Sequence, residues 1–130
     1  MFKTIVNASG KDREVTVKSG VIIQQGQALS MVNGEAVLAT GAVPVFAIAQ
    51  QSITATAGSK IRATIVRPEI DFVANTSEDV DETVVGTRIN VSSANAGLLD
   101  PTVEGEFLVI EVVDATTVIG IFTRPIVIDT

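Results

Sequence analysis

The sequence predicts an all-β fold, a compact antiparallel β-barrel or meander with a short helix and a small C-terminal β-hairpin lobe. Three observations predict it. Val, Ile and Thr account for 48 of the 130 residues, and such stiff, β-branched side chains suit a pleated surface better than a helix. Glycines and one Asn-Gly pair cut the apolar runs into short pieces. Several of those pieces alternate polar and apolar residues with the period of two that marks a half-buried strand.

The elements follow in order. Residues 3–7 alternate weakly and meet a turn-like cluster at 8–12, and residues 13–18 alternate clearly, so the two segments read as an opening hairpin. The stretch SGVIIQQGQALSMVNGEAVLA, residues 19–39, then reads as a meander with corners at Gly20 and Gly26. Its Asn33-Gly34 pair is the strongest hairpin signal in the chain, because a type I′ turn needs positive φ at both central residues. Met31-Val32 and Glu35-Ala36 are therefore expected to be antiparallel neighbours.

After a break at residues 41–44, residues 45–50 read as a strand buried on both faces and 54–59 as a loop of small residues. In residues 60–66, Lys60, Arg62 and Thr64 alternate with apolar neighbours, which predicts one wet face. Pro68 ends that strand, and residues 69–74 form another. At 75–86 the character changes: Thr76 or Ser77 can cap a short helix whose first turn carries acids, and Gly86 can stop it. Beyond it come a strand at 87–91, a loop at 92–97 and a segment at 98–101. Residues 107–113 and 118–123 then pair across 114–117. In the closing run, Arg124 and Pro125 interrupt an apolar stretch, and Pro125 argues for a sheet edge. The seam at 75–86 separates an N-terminal β-meander lobe, 1–74, from a short helix plus C-terminal β lobe, 75–130, within one compact unit.

The composition excludes much chemistry. Cys, His, Trp and Tyr are all absent, which removes thiolate and Ser-His nucleophiles, imidazole acid–base work and every thiolate or imidazole metal site. The acidic run at 77–82 lacks the glycine and spacing of a calcium loop. Thr56-Ala57-Gly58-Ser59-Lys60 lacks the first glycine of a phosphate-binding loop. A carbohydrate site would want Trp or Tyr platforms. No enzyme, no cofactor and no metal is expected. The glycine-punctuated opening also has the outline of a lipoyl or biotin carrier half-barrel, yet its turn carries Asn33-Gly34 where the carrier needs a lysine.

Mean hydropathy is +0.44 with only five Phe, an unusual pairing for a small domain with much surface, and it predicts apolar surface meeting another subunit. The net charge of −6 is split: residues 1–68 carry +4 and residues 69–130 carry −10. Neither a basic cluster nor stacking aromatics are present for nucleic acid. The N-terminus has no signal-peptide apolar region and no run approaches a membrane span, so synthesis in the cytoplasm without membrane association is expected.

One combination of segments resembles a known group. The opening Val17-Lys18-Ser19-Gly20 through Gly26-Gln27-Ala28-Leu29 is part of it, with the strand of residues 45–50 and Val85-Gly86-Thr87-Arg88-Ile89-Asn90-Val91. Gly97-Leu98-Leu99-Asp100 and the closing pair of residues 106–110 and 118–122 complete it. Together, over residues 13–123, these are similar to the head-decoration, or cement, proteins of tailed bacteriophages. The resemblance implies a structural virion protein on the outer surface of an expanded capsid, made in the host cytoplasm. It implies a homotrimer that binds the major capsid protein and bridges capsomers without catalytic residues. Some of that group begin with a long polar arm, whereas this chain starts with apolar Phe2, Ile5 and Val6. Another phage structural module, a tail-tube or head–tail joining protein, is the alternative.

Contacts summed over many copies favour apolar edges and termini. The candidate subunit or capsid contacts are therefore Phe2, Ile5 and Val6 at one end and Pro125, Ile126, Val127 and Ile128 at the other. At least one of the two ends is expected to add a strand to a neighbour's sheet.

Overall fold

The computed structural model describes residues 1–6 and 12–123, and their regular structure is almost entirely β. In chain order the strands are β1 (Lys3–Val6), β2 (Asp12–Thr16), β3 (Ile22–Ile23), β4 (Ala28–Val32), β5 (Glu35–Leu38), β6 (Ala47–Ala49) and β7 (Ile53–Thr54). They continue with β8 (Lys60–Ile65), β9 (Asp71–Thr76), β10 (Arg88–Val91), β11 (Leu98–Asp100), β12 (Phe107–Asp114) and β13 (Thr117–Phe122).

Two sheets organise these strands. One has the order β1-β9-β11-β10-β12-β13, and a further antiparallel pairing of β13 with β9 closes its last five strands into a barrel. The other has the order β2-β8-β6-β4-β5. Its ends meet where Val17 bridges Ala36 in parallel and the Lys18 N–H donates to the Ala36 carbonyl at 3.1 Å. β3 and β7 form a small separate ladder.

Each sheet encloses its own core. Val15, Val17, Ile23, Leu29, Ile61 and the small residues Ala36, Ala47, Ala49 and Ala63 fill the second sheet. The barrel is filled by Phe72, Phe107, Phe122, Leu99, Val109 and Val118, and Ile48, Val45 and Ala28 reach into that cluster from the other sheet. The lobes are also tied by hydrogen bonds: Phe2 N–H to the Gly26 carbonyl, Ala28 N–H to the Ala96 carbonyl, and Val45 N–H to the Glu106 carboxylate at 2.9 Å. Leu38 packs against both clusters.

Several expectations hold in detail. Asn33 and Gly34 take φ of 52° and 80°, and Met31 faces Ala36 while Val32 faces Glu35, the register an Asn-Gly type I′ turn requires. β12 and β13 pair as the second hairpin, with Phe107 opposite Phe122 and Asp114 opposite Thr117. The strand expected at 45–50 is shorter: β6 is buried at its three residues, whereas Phe46 before it is 40% exposed.

Others are corrected. The opening hairpin does not form: β1 pairs with β9 and β2 pairs with β8, each more than forty residues away. Sheet membership changes between β8 and β9, and β1 and β9 share their sheet with the C-terminal strands. The short helix is a single 3₁₀ turn at Glu82–Val84, capped by Asp81 rather than by Thr76 or Ser77. Its flanks are held by tertiary bonds, with Ser77 N–H on the Leu99 carbonyl, Val80 N–H on the Ala115 carbonyl and Gly86 N–H on the Val109 carbonyl. Donors engaged in this way cannot propagate a helix. Thr64, expected on the wet face, is 1% exposed because its hydroxyl lies between the Asp12 carboxylate it donates to, at 2.6 Å, and the Gln50 amide that donates to it, at 2.8 Å.

Candidate interaction surface

The proposed contact residues fall into three groups. Phe2 lies in the core of its own chain: it is 2% exposed, and its ring centroid lies 5.3 Å from that of Phe122 and 6.0 Å from that of Phe107. Four of the five Phe thus form one aromatic cluster inside the barrel, Phe72 joining through Phe122 at 5.4 Å. A large aromatic surface is worth more there than on any edge. Ile5 and Val6 lie in β1, which joins its own chain's sheet, with Lys3 opposite Val73 and Thr4 opposite Phe72. Pro125, Ile126, Val127 and Ile128 lie outside the described residues.

β1 is nevertheless the terminal strand of its sheet, and among the described residues no strand pairs with its other side. That side faces a groove of about 480 Å³, with Met1, Phe2, Lys3 and Thr4 on one wall and Gln25, Gly26, Ala49 and Gln50 on the other. Gly26, at φ 90°, lets the walls meet at one end, since a Cβ there would lie 2.7 Å from the Met1 side chain. Beyond that pinch, the N-terminal ammonium donates to Asn75 Oδ1 at 3.0 Å. Burial, with the Lys3 charge adding to it, lowers the pKa of this ammonium.

The acidic half of the sequence maps onto the barrel. Residues 69–123 carry eleven acids against Arg88 alone. Three of the acids recur in one local pattern that sequence reading missed, Asp-x-Thr: Asp81 with Thr83, Asp100 with Thr102, and Asp114 with Thr116. In each, the carboxylate accepts from the backbone N–H two residues on, and this holds a turn. The threonine hydroxyl holds the Asp81 and Asp100 carboxyls below the usual carboxylate range, the backbone N–H adding to it. At Asp114 the Thr116 backbone N–H is the main cause. Among the described residues, no three acids converge as metal ligands, and no helix is long and apolar enough to cross a membrane.

Large apolar side chains stand in water on both lobes. Ile22, Val32, Val43 and Phe46 are exposed on the first, and Val85, Val103, Ile110 and Val113 on the second. On the outward side of the barrel, half-buried Leu108 and Ile121 face each other, and Ile119 faces Val73. No family model matches the chain, and no curated protein matches it.

Proposed function

We propose that the chain is a structural virion protein that binds the outside of a tailed-phage capsid as a homotrimer and stabilises the expanded shell, with the major capsid protein and its own copies as partners. The observation that carries the reading is the division of labour on its surface. The acids that show lowered pKa are engaged in turns that shape the barrel, while among the described residues β1 keeps an edge that no strand pairs and eight large apolar side chains face solvent. Carboxylates held in turns build loops, whereas apolar side chains and unpaired edges gain free energy only when another chain covers them. Two β units, each with its own core and joined by Leu38 packed against both, suit a part that must stay folded under mechanical load.

The Phe2 burial refines the docking element. The N-terminal strand is already part of its own sheet, so residues 125–128 are the remaining terminal candidate for β-augmentation. The acidic barrel faces outward from the shell, and the lobe built by residues 12–65 lies nearer to it. Molecular mass by light scattering, with negative-stain micrographs of the purified protein, tests the reading. Discrete trimers are expected; rings or tubes would replace it with a tail-tube or head–tail joining role.

A further inference from the structure

Resting on that assembly reading, we infer that the groove beside β1 is the receiving site for the Ile126-Val127-Ile128 run of a second copy, which adds a strand to β1 and links the copies by exchange. Phe2 directs its N–H away from β9, onto the Gly26 carbonyl at 2.8 Å. In an antiparallel strand, residues two apart present their N–H and C=O on the same side. Thr4 therefore turns its backbone donor and acceptor into the groove, where among the described residues no strand meets them.

The occupant follows from chemistry and reach. The groove walls are uncharged apart from Lys3 and the N-terminal ammonium, which suits three β-branched apolar residues followed by the anionic Asp129. The run of the same copy is badly placed. β13 and β1 flank β9 on opposite sides, so a strand outside β1 lies three strand spacings from β13, about 14 Å along the sheet. From Thr123 to Ile126 the backbone spans at most about 11 Å. A second copy has no such limit, and a head-to-tail exchange closes into a discrete trimer when the rotation between copies is threefold.

The chain has no cysteine, so an engineered pair reports only itself. Lys3→Cys is combined in turn with Ile126→Cys, Val127→Cys or Ile128→Cys, and each double variant is oxidised mildly and run on a non-reducing gel. At least one should give disulfide-linked multimers, because facing strand positions meet the distance a disulfide needs. Links only within one chain, or none in all three variants, overturn the inference. Val127→Pro, which removes a strand N–H, should convert trimers to monomers in solution while the far-UV circular dichroism spectrum stays that of the wild type. If Val127→Pro assembles like the wild type, strand exchange is wrong while the capsid-binding proposal stands. If the wild type neither assembles nor binds shells, the proposal itself falls.

Discussion

Phe2 separates two accounts of the N-terminus, because a core residue and a docking residue respond oppositely to truncation. Phe2→Ala removes a ring that is 2% exposed and that makes edge or tilted contacts with Phe107 and Phe122. Phe→Ala in a core costs about 3–5 kcal/mol, the cavity included. The neighbouring rings Phe107 and Phe122 are held on the paired strands β12 and β13, so little collapse can offset the loss and about 4 kcal/mol is expected. For a chain of this size that is a fall in Tm of roughly 15 °C, against a total stability of about 5–15 kcal/mol. The assay is urea unfolding followed by far-UV circular dichroism, with Lys3→Ala, an exposed neighbour, as the control expected to stay within about 0.5 kcal/mol. An unchanged urea midpoint for Phe2→Ala would refute the core assignment. A variant of normal stability that no longer joined shells would restore Phe2 as a contact.

Gly120→Ala should be more damaging than its small size suggests, since the added Cβ would lie 2.2 Å from the Leu108 carbonyl oxygen and 2.6 Å from the Phe107 ring. About 3 kcal/mol of destabilisation is expected in the same urea assay. Gly58→Ala, at φ 79° but in open space, should cost only about 1 kcal/mol. The Asp-x-Thr turns predict acid sensitivity. Asp81, Asp100 and Asp114 have lower pKa folded than unfolded, so the stability they supply is complete above the ordinary aspartate value and is lost as pH falls through their folded values. The urea midpoints of wild type and an Asp81→Asn, Asp100→Asn, Asp114→Asn variant should differ at neutral pH and converge in acid. A constant difference would show that titration of these groups is not involved.

Local chemistry was legible and partnership was not. Asn33-Gly34 announced its turn because positive φ is a property of those two residues, and the β12–β13 hairpin followed from two apolar runs across the short link of residues 114–117. The pairing of Lys3 with Val73 leaves no mark in either segment, since any alternating strand offers the same donors and acceptors. For the same reason Phe2 read as an exposed end, although an apolar terminus and a core residue have the same local sequence. The helix expected after Thr76 had a plausible cap and a plausible stop. Its backbone donors instead found carbonyls on Leu99, Ala115 and Val109, which sequence distance concealed. Thr64 was placed on the wet face by its period, and only the distant Asp12 and Gln50 explain its burial. The Asp-x-Thr repeat was visible throughout as a pattern, and its turn chemistry was the available signal.

The central claim is that this chain reinforces a shell from outside. Expanded heads that lack it should be mixed with the purified protein, sedimented, and heated until they release their DNA. The account predicts that the protein co-sediments to a saturating level and raises the rupture temperature in proportion to occupancy. Protein that stays in the supernatant, or that binds without changing the rupture temperature, would contradict it.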